Sequence, residues 1–423
     1  MTALAGRSTF SVRRLAHAEA ISLLNGLVAP VKEFEEVGIR ASAGRVSAEI
    51  VVAPRSSPAH NNSAVDGYAI AFADYDAKSG ALLPVAGRVA AGDAAPSAVP
   101  PGCAVRIFTG AVIPEGCDTV AMQEDCRIEG DAVFIAGGLN RGVNRRLAGE
   151  DMAQGAAVVG PGQRLRPQDV AALAACGRSE IACVRSPRLR IFSTGDEVLA
   201  AGAPFEHGKV YDANGPMLAS LFAPLGLSVS HGGILPDRFE AVREALYTAA
   251  AENDLIITSG GASLGEEDHV IAALKRADAL SLWQLAIKPG RPMGVGKIGS
   301  CLCFALPGNP VAAMVCALLY VWPVARRLAG EPWIEPRRFF FPAGFDIRAR
   351  KPGRREFLRG WLEPSGDRTV ARSYPRDGSG LISSLRAASG LIEIPEDAAA
   401  IRRGSKVAFI PFSEFGILAT APQ

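Results

Sequence analysis

The sequence predicts a multidomain α/β protein: an open doubly wound α/β domain at residues 181–332, a β-rich inserted domain at 46–150, a helical domain split between 1–45 and 151–180, and a C-terminal β-barrel at 333–423. Three observations carry this expectation. Strand-like and helix-like segments alternate from Arg188 to Gly330, the pattern of stacked βαβ units. Short β-branched runs alternate with turn residues between residues 46 and 151, and helical spacing stands on both sides, so one domain interrupts another. After Trp333 strand-like runs return with Gly and Pro turns, which suits a small barrel.

Taken in order, Ala18, Ile21, Leu24 and Leu27 repeat at helical spacing and predict a helix over 17–27. In the insertion, Val105-Arg-Ile-Phe and Thr119-Val-Ala-Met read as strands, with Asp66-Gly67 and Pro114-Glu-Gly as turns. Helical spacing returns at 166–176. The α/β unit then predicts strands at 189–193, 227–234, 255–258, 282–287 and 302–305, and helices at 214–225, 238–251, 268–276 and 310–328. Leu255-Ile-Ile-Thr is continuously apolar up to its threonine, as expected of a parallel strand covered on both faces. Gly294-Val-Gly-Lys-Ile-Gly299 matches a dinucleotide-binding fingerprint, but a β-like segment follows it where a helix is required, so it reads as a hairpin turn.

Composition excludes several classes of function. Of 423 residues, 48% are apolar and 21% charged, and the net charge is only +2, so no general field draws the chain to nucleic acid or anionic lipid. The eight cysteines contain no CxxC, which argues against zinc or a disulfide framework and for free thiols in a reducing cytoplasm. The first fifteen residues lack a signal pattern, and the apolar run at 311–325 is short for a bilayer and contains Pro323. A soluble cytoplasmic protein is expected. No Ser-His-Asp or Cys-His arrangement points to a protein nucleophile, and none of the five histidines has metal-ligand spacing. His269, beside Asp268, reads as a helix-start residue.

Open α/β sheets bind ligands beyond the carboxyl ends of their strands, and the polar loops of this unit fall there. STGDE (193–197) follows the first strand, Asp237 the second, TSGGASLG (258–265) the third, KPGRP (288–292) the fourth and LPGNP (306–310) the last. Gly260, Gly261 and Gly265 allow a tight turn and close approach to a ligand, and the helix start that follows favours an anion. Lys288 and Arg291 flank a Pro-Gly turn, a rigid cationic pair suited to an oxyanion or phosphate. Asp196, Glu197, Asp237 and Asp268 come from neighbouring loops, and such carboxylates suit Mg²⁺ shared with substrate phosphates. Each residue alone reads more readily as a solvated loop charge; their gathering on one sheet edge favours a site.

Seven motifs then occur in one order: NSAVDGY (62–68), FTGAVIPEGCD (108–118), GED (149–151) and the four loops at 193–197, 258–265, 288–292 and 306–310. Together they resemble the molybdopterin molybdenumtransferase family, which includes the E domain of gephyrin. The resemblance implies insertion of molybdenum from molybdate into adenylylated molybdopterin with release of AMP, Mg²⁺ as cofactor, and a homodimer whose cleft is shared between subunits. It also implies passing contacts with a molybdopterin adenylyltransferase and with apo-molybdoenzymes.

Carried over residue by residue, the resemblance makes Asp66, Thr109, Asp151, Glu197, Asp237, Asp268 and Lys288 the catalytic set, with Asp237 and Asp268 as metal ligands. Ser259, Gly260, Gly261, Ser263, Gly265, Pro307 and Asn309 would hold the pterin substrate. Lys288, Arg291, Pro292, Arg354 and Ser384 would form the molybdate pocket. Three residues depart from the family pattern: Gln284 stands where some members have lysine, Arg291 replaces a common lysine, and Val65 a common methionine. The alternatives are adenylylation of molybdopterin by ATP, and a gephyrin-like scaffold that binds peptides.

Overall fold

A computed structural model describes residues 14–94, 98–262, 268–276 and 279–418. Its centre is a seven-stranded sheet in the order Arg14–Leu15, Ala279–Leu285, Pro292–Ile298, Cys301–Leu306, Leu255–Ser259, Arg188–Thr194, Ser228–Leu235. The Leu255–Ser259 strand is buried along its length and pairs in parallel on both sides. Period-two alternation explains why it is apolar throughout. Leu255 and Ile257 join the core under the helices Asn214–Phe222 and Pro310–Cys316, while Ile256 joins the core under Phe239–Glu252 and His269–Lys275.

The sheet is mixed, not purely parallel. Pro292–Ile298 runs antiparallel to both neighbours, so the GxGxxG segment lies largely in a strand, and the hairpin turn falls at Gly299. Gly294 of this strand serves packing: a Cβ there would lie 2.4 Å from Ile271 Cδ1. Ala279–Leu285 still ends on the same edge as the parallel strands, so the 288–292 loop keeps its expected place.

The N-terminal helix departs from the expected domain division. Ala20, Ile21 and Leu24 of His17–Leu27 pack into the α/β core, and Arg14–Leu15 adds a strand to its sheet. Burial of that apolar face assigns residues 14–28 to the α/β unit, in place of the split domain. The split domain itself is built mainly of β-ribbons: Phe34–Gly38 with Glu180–Val184, and Val51–Val52 with Ala157–Val159. One helix, Pro167–Ala175, covers them, and Leu165, Leu173 and Ile181 fill the core between. Glu331, 1% exposed, ties this unit to the α/β unit by bonding both Arg164 and Arg326.

The insertion is a six-stranded sheet in the order Thr119–Met122, Gly67–Ile70, Ala104–Ile107, Ala81–Val89, Ala132–Ile135, Cys126–Glu129. Asp66-Gly67 is not a hairpin turn: Gly67 begins a strand, and a Cβ there would lie 1.8 Å from Ala121 O. The C-terminal strands Arg355–Ser365, Gly390–Ile394, Lys406–Pro411, Phe339–Pro342 and Arg368–Ser373 form a ring, closed by a bridge between Ala343 and Ala371. The helical run 310–328 passes the length and hydropathy test for a membrane span, but 83% of that window is buried. At Ala317–Val321 the run widens to π geometry, just before Pro323, which has no N–H to give the preceding turn.

Candidate functional site

The sheet order places Arg188–Thr194 between Ser228–Leu235 and Leu255–Ser259, so chain connections leave this strand in opposite directions. That is the switch point of an open α/β sheet, where a crevice is expected. A cavity of about 870 Å³ opens there. Glu197, Asp237, Asp268, Ser259, Gly260, Gly261, Pro292, Pro307 and Asn309 all line it, so five loops distant in sequence meet as expected. Ser263 and Gly265 lie outside the described residues.

Local chemistry fixes the loops. Gly260 has φ +102°, and a Cβ there would lie 2.4 Å from Thr194 Oγ1; Gly261 has φ +68° and stands equally close to Val270. Both positions require glycine sterically as well as conformationally. Asp196 and Asp237 bind each other's loops, each backbone N–H donating to the other carboxylate at 3.1 Å. This exchange sets Asp237 on the rim and leaves Asp196 structural. His269 Nε2 lies 3.1 Å from Asp237 O, so it braces the same loop.

Asn214 and Asp212 were not singled out from sequence. Asp212 accepts from Ser193 Oγ at 2.8 Å and from the N–H groups of Asn214 and Gly215, which caps the helix Asn214–Phe222. Asn214, 8% exposed, donates through Nδ2 to Ser259 Oγ at 2.6 Å and Gly308 O at 2.7 Å. It thereby ties the third loop to the last one. Asn214 was read only as the first residue of a helix, and Asp212 fell in no motif.

A second cavity, about 490 Å³, shares Pro292, Pro307 and Asn309 with the first and adds Lys288, Arg291 and Arg359. A third, about 420 Å³, continues past Lys288 and Arg359 to Arg354. The three form one trench, acidic at the glycine loop and cationic at the barrel. Lys288 is held by Asp377 at 2.6 Å, and that bond keeps the Asp377 carboxyl below its usual range. The loop is built into the barrel: Ile287–Lys288 pairs in parallel with Arg355 and Glu356.

Arg359 was not singled out from sequence; it is 4% exposed and reaches the cationic end from the barrel. Burial pulls its pKa downward. Ser384, expected in the molybdate pocket, lies directly behind Arg359. It is fully buried, accepts from Arg359 Nε at 3.0 Å and donates to Leu381 O at 2.6 Å, and lines none of these cavities. Its hydroxyl orients Arg359.

Asp66 and Thr109 come together across 43 residues: the Thr109 N–H and hydroxyl each donate to Asp66 Oδ1 at 2.8 Å. Those two bonds hold the exposed Asp66 carboxyl below its ordinary pKa. Asp151 is exposed, and its N–H donates to Ser57 O at 3.2 Å. None of Asp66, Thr109 and Asp151 lines the trench of its own chain.

Comparison with known proteins meets this geometry at every segment. Residues 15–177 match the MoeA N-terminal region (domain I and II), 190–327 a probable molybdopterin binding domain, and 342–412 the MoeA C-terminal region (domain IV). The molybdopterin molybdenumtransferase of Haemophilus influenzae is 34% identical over 90% of this chain and 94% of its own. Molybdopterin molybdenumtransferase 2 of Mycobacterium tuberculosis is 32% identical over 88% of this chain and 93% of its own. Among solved structures, the molybdopterin biosynthesis moeA protein of Pyrococcus horikoshii OT3 superposes with a TM-score of 0.82 at 31% identity, covering 94% of this chain and 100% of that one. With the three matched regions spanning the trench, the insertion and the barrel alike, the chain belongs to the molybdopterin molybdenumtransferase family.

Proposed function

We infer that this chain inserts molybdenum from molybdate into adenylylated molybdopterin and releases AMP, completing the molybdenum cofactor. The observation that carries the reading is the wall common to the two main cavities. Pro292, Pro307 and Asn309 face an acidic, glycine-lined cavity on one side and a cationic pocket on the other. A phosphorylated pterin in the first would present its reacting end to a tetrahedral oxyanion in the second.

In this reading Gly260, Gly261 and Ser259 cradle the substrate phosphates by close backbone approach, as Asn214 holds the two loops at a fixed separation. Lys288, Arg291 and Arg359 take molybdate, with Arg354 further along the trench. Catalysis rests on positioning and on fixed charge near the developing anions.

The donor set also fits Mg²⁺. Glu197, Asp237 and Asp268 offer hard oxygen ligands in one cavity, and among the described residues no three His, Cys, Asp or Glu side chains cluster closely enough to hold a metal alone. One or two carboxylates plus substrate phosphates is the usual coordination of that ion. When bound by Asp237 and Asp268 it would supply charge neutralisation of the phosphates.

The reading extends to a homodimer in which Asp66, Thr109 and Asp151 of one subunit face the trench of the other. The exposure of Thr109 and Asp151, the half-exposed Asp66, and the absence of all three from the trench of their own chain support it. It also extends to a cytoplasmic setting, with transfer from a molybdopterin adenylyltransferase and delivery to apo-molybdoenzymes. The domain division proposed is the split unit, the insertion at 46–150, the α/β unit with residues 14–28 added, and the barrel.

The test is AMP release from adenylylated molybdopterin with Mg²⁺, with and without molybdate, coupled to reconstitution of an apo-molybdoenzyme. Molybdate-dependent AMP release with an active product is expected. Intact substrate in the presence of folded protein would overturn the assignment.

A further inference from the structure

Gln284 and Arg291 touch each other. Arg291 Nη2 donates to Gln284 Oε1 at 3.1 Å, linking the 288–292 loop to the end of the strand Ala279–Leu285. The backbone fixes the pair as well, since Leu285 N–H donates to Arg291 O at 2.8 Å and Gln284 lies in register with Pro292. On its other side Gln284 is in register with Arg14 of the edge strand Arg14–Leu15. Registered residues on adjacent strands project to the same face, about 5 Å apart. Gln284 is therefore a neutral side chain set between two guanidinium-bearing residues.

The chemistry of that position is specific. A guanidinium has five N–H donors in a rigid planar fork and no acceptor, so what it needs from a neighbour is an acceptor. The Gln284 carboxamide supplies one without charge. A lysine there would supply only donors and would stand as a third cation between Arg14 and Arg291.

Resting on the reading that the pocket takes molybdate, we propose that Gln284 is a positioning residue. It engages one face of the Arg291 fork so that the remaining N–H groups are held toward the oxyanion, and it contributes orientation where a lysine would contribute charge. Gln284 and Arg291 form one functional unit.

The test uses the full-length protein and inorganic molybdate. Molybdate binding is measured by titration calorimetry, and the KM for molybdate and kcat are taken from AMP release. Gln284→Met keeps the side-chain volume and removes the acceptor. It is expected to raise the molybdate Kd and KM about 3–10-fold, the loss of one hydrogen bond to a charged group, with kcat at saturating molybdate changed less than about twofold. Arg291→Lys is expected to weaken binding similarly, and adding Gln284→Met to Arg291→Lys to cost nothing further, the signature of a coupled pair. Gln284→Lys is expected to bind molybdate no more tightly than the unmodified protein, despite its extra charge. Tighter binding by Gln284→Lys, or fully additive losses in the double variant, would overturn the proposal. If the unmodified protein itself fails to bind molybdate, the reading of the pocket falls instead, so the two failures are distinguishable.

Discussion

Acidification from pH 6.5 to 5 is expected to remove about 2 kcal/mol of stability through His17 alone. This residue begins the N-terminal helix, is 3% exposed, and sits where that helix meets both the core and the barrel. Its Nε2 lies 3.3 Å from Arg338 Nη2, and its Nδ1 lies 2.8 Å from the Tyr320 hydroxyl. A guanidinium only donates, so the neutral ring carries its proton on Nδ1 and gives it to Tyr320. Burial first, then the charges of Arg355 and Arg338, push the His17 pKa from 6.5 to about 3, against a smaller opposing pull from Glu396. The unfolded chain thus gains a proton below pH 6.5 that the folded chain refuses. The stability is complete above 6.5 and falls by about 1.4 kcal/mol per pH unit toward pH 3, which gives about 2 kcal/mol by pH 5 and an upper bound of about 5 kcal/mol at the bottom of the window. The assay is urea denaturation at steps between about pH 7.5 and 5 for the protein and for His17→Phe. Phenylalanine preserves the edge-on ring contacts with Tyr320 and Phe357 but cannot titrate. The variant starts less stable, because Tyr320 and Arg338 lose a partner, and its pH profile is flatter by about 2 kcal/mol over the window. Parallel profiles would refute the reasoning and place the acid sensitivity elsewhere.

Other perturbations separate the parts of the trench. Lys288→Ala is expected to raise the molybdate requirement of AMP release by roughly tenfold, about 1.4 kcal/mol, while pterin binding measured by fluorescence quenching stays within twofold. Gly260→Ala forces a Cβ against Thr194 at a positive φ. A loss of about 1–3 kcal/mol in thermal unfolding, together with loss of pterin binding, is expected. Asp66→Ala leaves the Thr109 donors without their carboxylate at an exposed site. Turnover should drop by an order of magnitude or more with the melting curve and the oligomeric mass unchanged, and unaltered turnover would remove Asp66 from the site. Glu331→Gln breaks a buried bridge to two arginines. It should destabilise by about 3–5 kcal/mol in urea, and KM for molybdate should not move.

How much of this was legible follows from what each signal depends on. The glycine loop, the carboxylates after the strands and the 288–292 loop were readable because a strand's carboxyl end is a local property, and their convergence follows from the sheet. The antiparallel course of Pro292–Ile298 was not, because Gly294 meets close packing with the residue type that also marks turns. The N-terminal helix showed its apolar face, but not which core would bury it; only the long-range contacts of Ala20 and Leu24 decide that. The bond between Arg359 and Ser384 was hidden for a similar reason. An arginine and a serine on a barrel look alike in sequence whether they face a ligand or each other, and the 3.0 Å bond between them settles which one reaches the trench.

The pairing of Ile287–Lys288 with the barrel strand has a thermodynamic corollary. Half of the cationic pocket comes from the α/β unit and half from the barrel, so an anion seated there is bound only by the docked arrangement of the two. Linkage then makes the anion an adhesive between domains: at a concentration 100 times its Kd it adds about 2.7 kcal/mol to the docked state. The same coupling run backwards means that anything prying the barrel away, whether heat, denaturant or a competing surface, expels the oxyanion before either domain unfolds.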